Sequence, residues 1–316
     1  MLNNILSASQ TVAIGGHVRP DGDCVGSCMA LYQYICENYP GINADIYLEP
    51  IAEKFEFICG TESIKHEIKE NQTYDLFICL DCGDESRLGF STPLFQSAKH
   101  TFCVDHHISN RSFAEENYIV PDASSTAELI YDLLDKEKIS RTVAESLYMG
   151  IVHDTGVFQY SCAKPKTFRI AADLLEKGVD APALIDSTYY EKTYAQNQVL
   201  GRALLDSIVF MDGYCIASSM KKSDMEFHGV TAKDLEGIVS QLRVTKGVEV
   251  AVFGYEIEKN LFKVSLRSKK EIDVSKIASY FGGGGHVRAA GCTMAGTFHD
   301  VLNNISRQIE LQMTEG

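Results

Sequence analysis

The chain has 316 residues, 45% of them hydrophobic and 23% charged, with seven prolines and no tryptophan, a composition that suits a soluble globular protein with room for two cores. Its 29 basic and 43 acidic residues leave a net charge of −14, which argues against long DNA or RNA as the main partner, because many phosphate contacts require a basic surface. No apolar stretch reaches the roughly 18 residues of a membrane span. The start MLNNILSASQ lacks the basic lead, apolar core and cleavage site of a secretion signal, so a cytoplasmic protein with no membrane partner is expected.

In chain order, TVAIGGH (11–17) reads as a strand and CVGSCMALYQYICENY (24–39) has helical recurrence of apolar positions. ADIYLE, YDLFICLDC and TFCVDHH read as further strands, with helical or loop segments between some of them. This alternation implies βαβ units and an α/β domain over 1–190, built on a mostly parallel five-stranded sheet flanked by helices. In PDASSTAELIYDLLD, Ser125 and Glu128 fit a capping box. RTVAESLYMGIVHDTGVF and PKTFRIAADLLEKG follow as helices, the second opened by Pro165. Residues 191–212 read as a connector helix. The remainder, 213–316, reads as a smaller α/β domain with a mixed sheet: strand GYCIASSM, helix AKDLEGIVSQLR, then strands VEVAVFGYEIE and LFKVSLRS joined in hairpin fashion at Glu258-Lys259-Asn260. Helix VSKIASYF, a glycine run over 282–285 and a terminal helix complete it.

Of the ten cysteines, several sit inside apolar runs (Cys59, Cys79, Cys103, Cys215) and are expected to be reduced, buried thiols. Cys24 with Cys28, and Cys79 with Cys82, are expected to pack in the same way; a thiolate zinc site or redox pair is the alternative.

Four polar clusters carry chemistry: His17-x3-Asp21-x-Asp23, Asp81-x2-Asp84, Asp105-His106-His107 and His153-Asp154. At least three follow runs that read as strands, and parallel strands place their ends side by side, so distant residues converge on one point. So many carboxylates repel one another unless divalent cations hold them together. Pro20 and Gly22 fix the turn that carries the first cluster, although Asp23 also suits a helix cap. Asp84 suits a cap as well. Adjacent His106 and His107 on an extended segment are expected to face opposite sides and to differ in role. Oxygen and imidazole donors without thiolates favour Mn²⁺ or Mg²⁺ over structural zinc. Two such ions about 3.5–4 Å apart are a common engine of hydrolysis at phosphorus, able to bring the pKa of water from about 15.7 toward about 7. The run Gly282-Gly283-Gly284-Gly285-His286, with Arg288 and nearby Arg267, suits binding of an anion, since glycine lets backbone N–H groups approach it. Residues 259–276 carry six Lys or Arg against two acids, a local basic patch for a small anionic substrate.

Together these motifs, in their order and spacing, resemble the DHH-superfamily phosphoesterases that carry a DHHA1 second domain, over nearly the whole chain. More narrowly they resemble the bacterial nanoRNase/pAp-phosphatase (oligoribonuclease) group. The resemblance implies an active-site cleft between the two domains and two Mn²⁺ ions. His17, Asp21 and Asp81 would bind one ion, and Asp23, Asp81, His106 and Asp154 the other, with Asp81 as the bridge. It implies that His107 stands by the scissile phosphate as proton donor or charge stabiliser and that Asp105 orients the histidines. Arg267, His286 and the loop glycines Gly283, Gly284 and Gly285 would grip a phosphate of the substrate, and Asn110 would contact it too. The implied substrates are short 5′-phosphorylated oligoribonucleotides, including pApA, cut to mononucleotides, and 3′-phosphoadenosine 5′-phosphate (pAp), cleaved to AMP. A homodimer is implied as well. Alternatives on the same scaffold are a phosphodiesterase of cyclic dinucleotides such as cyclic di-AMP, a family II inorganic pyrophosphatase, and a non-catalytic nucleotide sensor. The pyrophosphatase is disfavoured because Ser268-Lys269-Lys270 only faintly matches its Arg-Lys-Lys motif, and the sensor because no ligand position is lost.

Overall fold

The computed structural model describes residues 2–69 and 72–315, which divide into two compact units, Met1–Glu191 and Lys192–Gly316. No helix among the described residues is long and apolar enough to cross a membrane.

In the first unit, β1 (Thr11–Gly15), β2 (Asn43–Tyr47), β3 (Ile64–Lys65), β4 (Leu76–Leu80), β5 (His100–Asp105) and β6 (Glu116–Ile119) form one sheet in the order β3-β2-β1-β4-β5-β6. Every pair is parallel. Val12 to Gly15 of β1 and all of β4 are buried, the continuous apolar run that a parallel sheet covered on both faces requires. The sheet has six strands, not the expected five. β3 is two residues long, too short to show a period, and β6 is exposed or half-buried along its length.

The chain leaves β1 for β2 and β3 on one side, then returns to lay down β4, β5 and β6 on the other. Winding therefore reverses between β1 and β4, and such a reversal opens a crevice at the carboxyl ends of the strands. Among the described residues, seven α-helices accompany this sheet: α1 (Leu2–Ser7), α2 (Gly22–Asn38), α3 (Thr92–Ser97), α4 (Thr126–Leu133), α5 (Arg141–Asp154), α6 (Pro165–Glu176) and α7 (Ala181–Ile185). Two glycines draw three of them together. A Cβ on Gly26 of α2 would lie 2.5 Å from the Ser146 carbonyl oxygen of α5, and one on Gly150 of α5 would lie 2.6 Å from Ala127 Cβ of α4. Only glycine permits that approach, which brings the N-terminal turns of α2 and α4 beside the C-terminal half of α5.

Ser125 caps α4 by accepting the Glu128 N–H, as its spacing suggests. The second half of the expected capping box is otherwise engaged. The buried Glu128 carboxylate accepts from Ser124 Oγ at 2.6 Å and Thr167 Oγ1 at 2.7 Å, and it pairs with Lys166 Nζ at 3.1 Å. Glu128 thereby pins α4 to α6.

In the second unit, β7 (Ile208–Phe210), β8 (Cys215–Met220), β9 (Val250–Glu258), β10 (Leu261–Ser268), β11 (Gly284–His286) and β12 (Ala289–Ala295) form a mixed sheet in the order β11-β12-β10-β9-β8-β7. Only β8 and β9 run parallel. Its helices are α8 (Tyr194–Leu205), α9 (Lys222–His228), α10 (Ile238–Arg243), α11 (Val274–Tyr280) and α12 (Phe298–Glu315). Strand alternation sorts the core: Val250 and Val252 pack with Ile277, Val301 and Ile305, while Ala251 and Phe253 pack with Val199, Ala203 and Leu242. The stretch 191–212, expected as a connector, is thus built into this unit, because α8 buries Val199 and Ala203 there and β7 pairs with β8. The expected helix AKDLEGIVSQLR is broken. Gly237 takes φ +86° between a 3-10 turn at Ala232–Leu235 and α10.

All ten cysteines are free thiols. Cys59, expected to be buried, is exposed in a turn whose inward positions go to Phe55 and Ile58.

Glu128 provides a test of the packing. Burial opposes its charge, yet the Ser124, Thr167 and Lys166 donors win and hold its carboxyl below the usual range. Its stabilising contribution is therefore complete above the unfolded-state value of about 4.3 and fades as pH falls through the lower folded-state value. Glu128→Ala is expected to cost about 2–3 kcal/mol at pH 7 by stranding buried donors. Urea denaturation at pH 7 and at pH 3 checks this, with a smaller difference between variant and wild type at the lower pH.

Candidate active site

Every residue of the site lies at a carboxyl end of the first sheet or at a helix end beside it. His17 follows β1, and its Nδ1 donates to the Val18 carbonyl oxygen at 2.9 Å. That bond occupies Nδ1 and turns Nε2 toward the carboxylates, 3.6 Å from Asp21 Oδ1 and 3.4 Å from Asp81 Oδ2. Asp21 caps α2, its side chain accepting the N–H groups of Asp23 and Cys24. Asp81 comes directly after β4 at φ +57°, an uncommon conformation outside glycine that turns its carboxylate off the strand line.

His106 follows β5, and its Nε2 faces three carboxylates: Asp154 Oδ2 at 3.1 Å, Asp81 Oδ1 at 3.6 Å and Asp23 Oδ2 at 3.9 Å. Asp154 ends α5. Asp23, fully buried in the first turn of α2, accepts the backbone N–H groups of Thr126 at 2.6 Å and Ala127 at 2.9 Å from the start of α4. Those N–H groups have no partner within the helix. The structure thus brings His17, Asp21 and Asp81 together, and likewise Asp23, Asp81, His106 and Asp154, with Asp81 common to both groups.

The rings of His106 and His107 do not face opposite sides as expected. Their centroids are 5.1 Å apart, and both approach Asp81 Oδ1. β5 ends at Asp105, so strand alternation lapses before the pair. Their surroundings still differ. His107 Nδ1 is held by Asp105 Oδ1 at 2.7 Å, which reserves that nitrogen and leaves Nε2 as its working end. Asp105 is itself fixed through Oδ2 by Asn110 Nδ2 at 2.7 Å. Asn110 Nδ2 also donates to the Cys82 carbonyl oxygen at 2.9 Å, and Asn110 Oδ1 accepts the Ser112 N–H. Both amide hydrogens of Asn110 are therefore spent, which corrects its expected substrate contact to one of orienting Asp105. Asp84 caps the turn at Ser86. His153 turns away from the cluster, to Thr188 Oγ1 at 3.1 Å and to the rings of Phe55 and Tyr189.

Electrostatics mark the cluster as short of positive charge. Burial works against the charge on His17, but Asp21 and Asp81 prevail and raise its pKa to about 11. For His106, burial is likewise overcome, by Asp154, Asp23 and Asp81, and the value rises to about 10. Burial pushes the Asp23 carboxyl well up, and Asp81 and Asp154 push it further. The imidazoles act as stand-in cations. The donor atoms also suit real ones. Most of the Nε2–oxygen separations, 3.4–3.9 Å, are too long for hydrogen bonds and somewhat wider than the edges of about 2.8–3.0 Å between neighbouring ligands of an octahedral cation with bonds of about 2.0–2.1 Å, so the donor atoms face one another without bonding. Cys24 Sγ lies within 4.8 Å of the His17 and Asp81 donor atoms, but burial raises its thiol well above the ordinary range, which disfavours the thiolate. Imidazole nitrogen and carboxylate oxygen remain, a donor set that fits hard divalent cations.

In the second unit, Arg267 lies on β10 with Nη1 donating to its neighbour Leu266's carbonyl oxygen at 3.0 Å. His286 is exposed on β11. The glycine run is not the open anion cradle expected. Gly282 and Gly283 donate their N–H groups to the Ser279 and Ala278 carbonyls, closing α11. Gly284 and Gly285 enter β11, and a Cβ on Gly283 would lie 2.2 Å from the Gly291 carbonyl oxygen. Glycine is required there by the approach to β12. Arg288 is engaged by the Ile272 carbonyl at 2.8 Å.

The DHH family, N-terminal domain, matches residues 11–151, and the DHHA1 domain matches residues 212–315. The chain belongs to the DHH/DHHA1 phosphoesterase family. It is a hydrolase of phosphoester bonds. The bifunctional oligoribonuclease and PAP phosphatase NrnA of Thermus thermophilus is 28% identical over 289 residues, 90% of this chain and 84% of that protein. The protein of the same name from Bacillus subtilis is 26% identical over 294 residues, 92% and 91% of the two chains. The crystal structure of an exopolyphosphatase-related protein from Bacteroides fragilis shares the fold, with a TM-score of 0.89 at 24% identity over 98% of this chain and 94% of that one.

The part of the site that motif reading missed is the start of α4. Ser125 as a cap implies free N–H groups on the next residues, and buried ones need acceptors; that was the available signal. Gly150→Ala tests the packing behind Asp23. Helix propensity favours alanine by about 1 kcal/mol. The new methyl, however, would lie 2.8 Å from Asp23 Oδ1, and overpacking costs about 1–3 kcal/mol. A net loss of stability is expected in thermal denaturation, with Asp23 displaced in a crystal structure of the variant.

Proposed function

We propose that this chain hydrolyses short 5′-phosphorylated oligoribonucleotides to mononucleotides and pAp to AMP, using two divalent cations, Mn²⁺ by preference. The convergence of His17, Asp21, Asp23, Asp81, His106 and Asp154 on one point supports the reading. His17, Asp21 and Asp81 would hold one cation, and Asp23, Asp81, His106 and Asp154 the other. Bound there, the cations would neutralise phosphate oxygens and acidify water for attack.

The chain's own residues supply orientation and the proton. Hydrolysis places a water oxygen on phosphorus and breaks the bond to the leaving sugar oxygen, which needs a proton. His107 is the donor in this reading. The Asp105 hydrogen bond, working against burial, raises its imidazole above the ordinary value, which favours the protonated ring that a proton donor needs. Asn110 keeps Asp105 in place. Arg267 and His286 would bind a phosphate of the substrate through their side chains, since the neighbouring Gly282 and Gly283 N–H groups are committed. The net charge of −14 disfavours long polyanions and leaves small ones as the fitting class. A cytoplasmic homodimer is the working assembly. Exposed Leu205, Ile208 and Val209 at the β7 edge support self-association.

The test offers Mn²⁺-loaded protein pAp, pApA, a five-nucleotide RNA, cyclic di-AMP and pyrophosphate in parallel. AMP and mononucleotides are expected from the first three, with activity lost to a chelator and restored by Mn²⁺. Turnover of pyrophosphate alone defeats the reading. Asp81→Ala should abolish both turnover and paired metal binding. Arg267→Ala should raise KM about 10- to 100-fold with kcat little changed, the worth of a charge-assisted hydrogen bond.

A further inference from the structure

We propose that Thr126 is a positioning residue that holds Asp23 and Asp81 in register for the metal pair. The inference rests on the reading of those two aspartates as ligands. Thr126 is fully buried at the first position of α4, after the Ser125 cap. Its backbone N–H donates to Asp23 Oδ2 at 2.6 Å, and its Oγ1 hydroxyl donates to Asp81 Oδ1 at 3.1 Å. Asp23 and Asp81 are 103 and 45 residues away in the chain. One residue therefore grips both carboxylates, one assigned to a single cation and the other shared.

The grip has a chemical consequence. A carboxylate oxygen has two acceptor directions. Thr126 and the Ala127 N–H, 2.9 Å from Asp23 Oδ1, occupy outward directions on three of the four oxygens and leave inward ones toward His106 Nε2. The hydroxyl thus selects which lone pair of Asp81 is presented. The positive end of the α4 dipole also moderates repulsion between the two carboxylates before a cation arrives. The mounting is rigid, because Glu128, two residues on, is fixed by Ser124, Thr167 and Lys166. A threonine present only to fill space would be replaceable by valine, which has the same shape and avoids burying a hydroxyl.

Thr126→Val and Thr126→Ser separate these roles. Metal-free wild type and variants are titrated with Mn²⁺ by isothermal calorimetry, and their melting temperatures are recorded without metal. Thr126→Val should weaken Mn²⁺ affinity about 10- to 100-fold, the usual cost of losing a partner that orients a ligand. Thr126→Ser should stay within about threefold of wild type, and melting temperatures should agree within a few degrees. At saturating Mn²⁺, the valine variant should lose kcat on pAp with KM unchanged. Should the valine variant not fold, Thr126→Ala takes its place with the same expected loss. Wild-type Mn²⁺ affinity in the valine or alanine variant overturns the proposal and leaves the metal site standing, as does a serine variant no better than valine. Absence of Mn²⁺ binding by the wild type overturns both.

Discussion

Repulsion among carboxylates governs the architecture of the first unit. Asp23, Asp81 and Asp154 all approach His106 Nε2, and Asp21 and Asp81 approach His17 Nε2. Carboxylates gathered this closely out of water resist ionisation, as the upward displacement of Asp23 by burial and its neighbours shows. The fold must therefore spend stability elsewhere to hold them together. It does so with parallel strands, whose carboxyl ends all emerge on one side, and with buried apolar runs in β1 and β4 that carry the sheet's stability away from the site.

Helix packing then sets the spacing. α2 carries Asp23, α5 carries Asp154, and α4 supplies the N–H groups that donate to Asp23. None of these contacts survives if the helices stand farther apart, and side chains at Gly26 or Gly150 would force them apart. The apolar faces and the polar centre are thus one construction. Glu128 extends it outward, since its buried carboxylate ties α4 to α6 and transmits rigidity from the helical layer to the acidic cluster.

Much of this was legible in the residue order. The runs at Val12–Ile14 and Leu76–Leu80 announce central parallel strands, and acidic or imidazole residues follow each of them. What stayed hidden has physical causes. β3 is too short for a period, and β12, with four alanine or glycine residues in seven, lacks the β-branched signature of a strand. The packing of His106 beside His107 depends on where β5 stops, and strand ends are weakly encoded. Asn110 looked available because sequence does not reveal that Cys82 and Asp105 already take its amide hydrogens. The Thr126 contacts join residues far apart in the chain, and local pattern carries no trace of them.

The glycine segment shows how one motif supports two physical readings. Glycine runs permit close approach to a ligand, but they equally permit close approach to another strand. Gly283 and Gly285 would each place a Cβ within 2.5 Å of a β12 carbonyl oxygen, so strand pairing already accounts for glycine at both. With the Gly282 and Gly283 N–H groups engaged by α11, attraction for an anion shifts to side chains, namely exposed His286 and the basic residues of 259–276. Side-chain recognition is long-range and screened by salt, whereas backbone recognition is short-range and steric. On that ground, the phosphate binding proposed for this unit should follow ionic strength more closely than the identity of the glycines, and the acidic remainder of the chain would favour small anions there over long strands.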